Sequence, residues 1–206
     1  MRARIFRYSL YYELGVAPNG QVVAALVPAD DGRRVLVAME VNTPKTWGVA
    51  KVEDLDITHF VWINDKRLLL RVEDLKRGSG EGGSGLAAVN VDGSHLDLFP
   101  GNAVFMATYQ DGSDDVLAYY EKRDHSLELF RLNTTKASSH SLAPGMRPRA
   151  LRFLLDHQVR VRIVETLSED AKRTTIHYRA DWAFDSEVQF LSSLTPSSRR
   201  VGAIGV

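Results

Sequence analysis

Hydrophobic and polar positions in this chain fall into short runs and alternations, and no stretch sustains a helical period. The nearest approach to one, Pro148–Val159, is interrupted by Arg149 and Arg152 and ends on the β-branched Val159. The clearest run is Phe60–Asp74 (FVWINDKRLLLRVED), where two apolar segments flank the turn-forming pair Asn64-Asp65. That arrangement predicts a β-hairpin. Gly85–Ser94 (GLAAVNVDGS) follows as a further apolar strand that runs into a turn at Asn90-Val91-Asp92-Gly93.

The ending of that strand recurs. Met39–Thr43 (MEVNT), Val89–Gly93 (VNVDG) and Phe130–Thr134 (FRLNT) share one order: apolar, polar, apolar, Asn or Asp, then Thr or Gly. Tyr178–Trp182 (YRADW) is a looser fourth copy. The marker residues are Asn42, Asp92, Asn133 and Asp181, so the steps are 50, 41 and 48 residues. A repeat of about 40–50 residues built from short strands predicts the blades of a β-propeller.

The rest of the chain fits that frame. Arg4–Leu14 reads as an entering strand, Ala17-Pro18-Asn19-Gly20 as a turn, Gln21–Val27 as a strand, Asp30-Asp31-Gly32 as a hairpin turn and Arg34–Val41 as its partner strand. Polar Asn42–Asp56 reads as a connection, and Lys76–Gly85 as a flexible Gly-rich loop. Asp115–Glu121, a turn at Lys122–His125, Ser126–Leu132 and a short outer strand at Ser138–Leu142 make the third copy. Ala150–Leu155, Val159–Thr166, Thr174–Tyr178 and Trp182–Leu191 make the fourth. The expected fold is all-β, a partial β-propeller of about four blades of short antiparallel strands. Its blade-like units span about 15–43, 57–100, 114–143 and 150–191 of a single region covering 1–206.

Composition narrows the function classes. Lys+Arg and Asp+Glu both total 26, so net charge is zero and the excess positive charge that holds nucleic acid or anionic membrane is missing. Hydrophobic residues make up 44% and charged residues 25%, as in an ordinary globular protein, and no apolar run reaches the roughly 18 residues of a membrane-spanning helix. With no cysteine, disulfides, thiol catalysis and Cys-dependent zinc sites are excluded, while the compartment stays open between cytoplasm and periplasm.

Candidate chemistry is sparse. Gly78–Gly83 matches G-x-G-x-x-G, but that motif holds a pyrophosphate only between a strand and a helix, and here strands stand on both sides. Gly82-Gly83-Ser84-Gly85-Leu86 fails the nucleophile elbow G-x-S-x-G at its fifth position. The histidines at 59, 95, 125, 140, 157 and 177 show no metal-ligand spacing. The adjacent pairs Asp124-His125 and Asp156-His157 read as turn or surface residues. Arg147, Arg149, Arg152, Arg160 and Arg162 form the one basic cluster, which reads mainly as solvated strand faces and secondarily as a carboxylate or phosphate site. Trp62, Phe130, Tyr178 and Trp182 read as packing between blades. No catalytic, cofactor-binding or metal-ligating residue is assigned, and no cofactor is expected.

Several segments resemble one family. APNGQVVAAL followed by DGRRVLVAMEV, then FVWINDKRLLLRVED with GLAAVNVDGS, then DVLAYYEKRDHSLELFRLNTT and IHYRADWAFDSEVQF resemble propeller blades of the prolyl oligopeptidase family of serine peptidases, over roughly Tyr11–Phe190. The resemblance implies a propeller that restricts access to, or positions peptides for, an α/β-hydrolase domain with a Ser-Asp-His triad. That domain has no match in this chain, so no catalytic or binding residue is carried over and the chain alone is expected to be inactive. The implied partners are a peptide substrate and the hydrolase domain, with self-association through open blade edges. The alternative is a free-standing propeller-like binding or scaffold protein for a peptide or protein partner.

Overall fold

The structure, a computed structural model, describes residues 11–74, 84–99, 101–142, 149–168, 170 and 172–178, and the backbone of 186–191. These residues contain sixteen strands and no helix. Each set of four consecutive strands forms its own antiparallel sheet. Sheet one holds β1 (Glu13–Val16), β2 (Val22–Pro28), β3 (Arg34–Glu40) and β4 (Thr46–Ala50). Sheet two holds β5 (Asp56–Trp62), β6 (Arg67–Glu73), β7 (Ser84–Asn90) and β8 (Asp97–Phe99). Sheet three holds β9 (Val104–Thr108), β10 (Asp115–Glu121), β11 (Leu127–Asn133) and β12 (Ser138–Ser141). Sheet four holds β13 (Ala150–Leu155), β14 (Val161–Leu167), β15 (Arg173–Tyr178) and β16 (Ser186–Leu191). The fold is all-β and of partial-propeller type, with four blade-like sheets.

The recurring sequence marker has a structural meaning. It closes the third strand of each sheet: β3 ends at Glu40, β7 at Asn90, β11 at Asn133 and β15 at Tyr178. Asp181 lies outside the described residues. The chain must turn at this point toward the outer fourth strand, and Asn, Asp, Thr and Gly are residues that satisfy or relax a turning backbone.

Two expectations need correction. Asn42–Asp56 is not a plain connection, because it contains β4. Polar flanks and Gly48 conceal this short strand, but Trp47 and Val49 pack on the core and the Trp47 indole donates to the Val91 carbonyl at 2.7 Å. Val159 does not begin a strand: it sits in the β13–β14 turn at φ 59°, and β14 starts at Val161. In addition, β8 and β9 fall in a stretch whose sequence predicts no strand. Three- and five-residue strands bordered by Asp, Pro and Gly carry too few alternations to stand out. Arg4–Leu10, residues 75–83 and the tail from 192 lie outside the described residues; Ser84 and Gly85, the end of the stretch read as a Gly-rich loop, belong to β7.

The chain divides into two compact units, Met1–Glu121 with Glu128–Pro144, and Lys122–Leu127 with Gly145–Val206. The first carries the body of sheets one to three. Within it, sheet two is covered on both faces. Phe60, Leu68, Leu70, Val72, Ala87 and Val89 pack with Ala24, Leu26, Leu36 and Ala38 of sheet one. On the reverse, Ile63, Leu69, Leu86 and Ala88 pack with Ala103, Val116, Ala118, Phe130 and Leu132. This explains the unbroken apolar run Leu68-Leu69-Leu70: a strand buried on both sides has no solvent face on which to place polar residues.

Polar groups fix the alignment of the three sheets. Asp65 accepts from the Asn19 amide at 2.8 Å, on sheet one's side, while the Asn64 amide donates to Asp114 at 2.7 Å, on sheet three's side. Arg34 donates to Asp56 from its backbone amide and its guanidinium. The Trp62 indole donates to the Gly15 carbonyl at 3.2 Å. A Cβ at Gly15 would stand 2.9 Å from the Phe60 ring, so glycine lets β1 approach this closely.

The deepest such group is Arg67, which is 1% exposed. Its Nε donates to Thr134 Oγ1 at 2.9 Å. One terminal nitrogen donates to Asn90 Oδ1 at 2.9 Å and the His95 carbonyl at 3.2 Å. The other donates to Asp97 at 2.9 Å and the Thr134 carbonyl at 2.6 Å. All five N–H groups of the guanidinium have an acceptor.

The second unit carries sheet four, in which Val161, Val164 and Phe153 are buried. Its β13–β14 turn repeats one used elsewhere, with an amide donating to the carbonyl three residues back. Gly20 to Ala17, Gly32 to Ala29, Gly93 to Asn90, His125 to Lys122 and Val159 to Asp156 all follow it. All five donors have positive φ. Three are glycine, for which this conformation is free of strain, whereas a β-branched valine is held there at a cost.

Two stability outcomes follow. Replacing Arg67→Met leaves the carbonyls and amide oxygen around it without donors, and denaturant unfolding should show a loss of about 3 kcal/mol. Val159→Gly should raise stability by about 1 kcal/mol, measured the same way, because relief of backbone strain exceeds the entropy lost to the unfolded chain.

Candidate functional site

The site in the first unit forms where sheets two and three part near their first strands. A cavity of about 140 Å³ is lined by His59 and Val61 of β5, Leu69 and Arg71 of β6, Leu86 of β7, and Val104 and Phe105 of β9, with Ser84, Gly85 and Ala103. The strand register makes this set. His59 pairs with Arg71 and Val61 with Leu69, while Leu86 lies across from Arg71, so their side chains leave sheet two on one face. The β5 bulge between Ile57 and His59 sets which β5 residues share that face.

The floor is apolar and the mouth is charged. His59 Nδ1 lies 2.6 Å from Glu13, and Arg71 Nε lies 3.2 Å from Glu73. Both basic groups are about half exposed and remain within reach of a ligand. The cavity suits one apolar side chain, with Arg71 placed to meet a carboxylate or a carbonyl oxygen beside it. Among the described residues no cluster of three or more His, Asp or Glu is placed to hold a metal ion.

The structure separates most of the residues that the sequence singled out. Of the histidines, only His59 reaches this cavity. His95 and His125 occupy turns at φ 52° and 62°, His140 lies on β12, and His177 Nε2 is 2.9 Å from Thr166 Oγ1 on β14. Asp124 and Asp156 shape turns. Asp124 accepts from the Ser126 amide and hydroxyl, and Asp156 accepts from the amides of Gln158 and Arg160. Three arginines of the cluster meet carboxylates: Arg160 and Arg162 both reach Asp156, at 2.9 and 2.8 Å, and Arg152 reaches Glu165 at 3.3 Å. Burial raises the Asp156 pKa, but the Arg160 amide and the two guanidinium groups outweigh it and hold this carboxyl far below the ordinary aspartate range. Arg147 lies outside the described residues. Gly78–Gly83 does too; the described residues on either side of it, Glu73 and Ser84, are antiparallel partners.

No pattern in the sequence pointed to the cavity. Its lining comes from four strands of two sheets, and each residue looks locally like an ordinary strand position.

No protein-family model matches the chain, and no curated relative does. Solved structures do. An acylaminoacyl peptidase in complex with Z-Gly-Gly-Phe-chloromethyl ketone matches at a TM-score of 0.53 and 10% identity, over 84% of this chain and 32% of that one. The Pyrococcus horikoshii acylaminoacyl peptidase matches at 0.50 and 10%, over 82% of this chain and 28% of that one. At this identity the likeness is one of fold. The chain spans about a third of the length of the peptidases that it matches.

The electrostatics of the arginine cluster yield a pH dependence. Asp156 has a lowered pKa in the folded state, so its stabilisation is present above the ordinary value of 3.8 and is lost progressively as pH falls below it. Thermal melts should therefore place Asp156→Asn below the parent near neutral pH, with the gap narrowing in acid.

Proposed function

We propose that this chain is the propeller portion of a prolyl-oligopeptidase-like serine peptidase and that it admits or positions peptide substrates for a hydrolase domain outside these residues. The observation that carries this reading is the match to acylaminoacyl peptidases over most of this chain and only about a third of theirs. The cavity between β5–β7 and β9 supports it, because an apolar floor beside an arginine suits a side chain and an adjacent oxygen of a peptide. In this reading the chain contributes binding and access, and the chemistry belongs to the hydrolase domain.

Two measurements test it together. Incubation of the purified chain with chromogenic acyl-peptides should give no hydrolysis, whereas turnover abolished by a serine-directed inhibitor would overturn the reading. Calorimetric titration with an acyl-peptide bearing an apolar residue should show weak binding, reduced roughly tenfold by Val104→Lys at the exposed edge of the cavity. Absence of binding to any such peptide also counts against the proposal.

A further inference from the structure

The cavity between sheets two and three is graded from floor to mouth, and the gradient limits what can enter it. Leu69 and Leu86 are its most buried lining residues, at 2% and 3% exposure, and Ala103 follows at 8%. All three belong to one apolar cluster, against which Val61 and Phe105 pack. The charged lining residues are at the open end. His59 and Arg71 are half exposed, and each meets a carboxylate, of Glu13 and Glu73. The side chains of the floor therefore offer a ligand neither a hydrogen-bond donor nor an acceptor.

Size sets a second limit. The volume of about 140 Å³ is close to the roughly 150 Å³ in which an apolar protein cavity holds one benzene ring. That room takes the side chain of leucine, isoleucine, methionine or phenylalanine. An alanine methyl leaves most of it unfilled, and the second ring of tryptophan has no place in it. A lysine or a tyrosine carries its polar end onto Leu69 and Leu86, where a polar group without a partner weakens binding.

We infer that this cavity selects one residue of the peptide, a medium-sized aliphatic or single-ring side chain, and that Ala103 sets its upper size; the inference rests on the peptide reading above. The other small lining residues, Ser84 and Gly85, belong to β7 of sheet two. On the facing wall Ala103 stands immediately before β9, next to the exposed Val104 and the partly buried Phe105. A larger side chain at 103 takes up the room that a ring needs, and a smaller one at 105 adds room. Arg71 uses Nε toward Glu73, and its guanidinium has further donors for a carbonyl oxygen. The ligand is thereby oriented, with its side chain inward and its backbone at the mouth.

Calorimetric titration of the full chain with acyl-peptide amides that differ at one residue tests it. Leucine and phenylalanine peptides should bind about tenfold more tightly than those with alanine, lysine, tyrosine or tryptophan. Ala103→Leu should abolish the preference for phenylalanine over alanine, and Phe105→Ala should bring tryptophan level with phenylalanine. The two changes run in opposite directions, so a general loss of folding cannot produce both. Toluene, followed by nuclear magnetic resonance, probes the cavity without a peptide and should bind the parent chain but not Ala103→Leu. Equal affinity for every side chain overturns the selection and leaves the peptide reading in place. Toluene binding that Ala103→Leu removes, with no peptide bound, upholds the cavity's selectivity and overturns the peptide reading. Toluene binding that is absent, or indifferent to Ala103→Leu, overturns the inference.

Discussion

Among the described residues one buried arginine ties sheets two and three together. Arg67 begins β6 with its guanidinium sealed from water, where an unsatisfied charge is costly by several kcal/mol. The charge is tolerated because every N–H finds an acceptor, and those acceptors come from the end of β7, the turn after it, the start of β8 and the end of β11. The group thus ties the outer hairpin of sheet two to Thr134, the residue that follows sheet three's third strand. Two of its partners, Asn90 and Thr134, belong to the recurring marker that ends the third strands. The marker is more than a turn signal, since in this sheet pair it also supplies the polar socket.

Around that point the segment Phe60–Asp74 works in both directions. Phe60, Leu68, Leu70 and Val72 face sheet one, and Leu69 faces sheet three. Asp65 and Asn64, adjacent in one turn, reach to opposite neighbours. Alternate side chains of a strand point to opposite faces, so a sheet covered on both sides needs apolar residues at consecutive positions.

The candidate site arises from the way sheets part. Where sheets two and three converge, Leu69, Ala88, Val116 and Ala118 close the gap, and nearer the first strands β5 and β9 the space between them is left unfilled. Its charged rim is built from neighbours within sheet pairs, His59 with Glu13 across sheets and Arg71 with Glu73 along a strand. The arginine cluster, which reads in the sequence mainly as solvated strand faces, is partly paired, because a hairpin turn brings Asp156 against Arg160 and Arg162.

The strands and turns were legible because their causes are local. Apolar alternation sets a strand's faces, Asn-Asp and Asn-Gly pairs set turns, and a marker repeated at 41 to 50 residues declares a repeated sheet. Short or edge strands such as β4, β8 and β9 escaped because few residues and one polar flank leave no period to read. What only the tertiary structure decided is which face meets which sheet, that Arg67 is buried rather than solvated, and where a cavity remains. Arg67 and Thr134 stand 67 residues apart, and the cavity draws on four strands. Such contacts depend on how whole sheets stack, and the residues that make them carry no mark in their own neighbourhood.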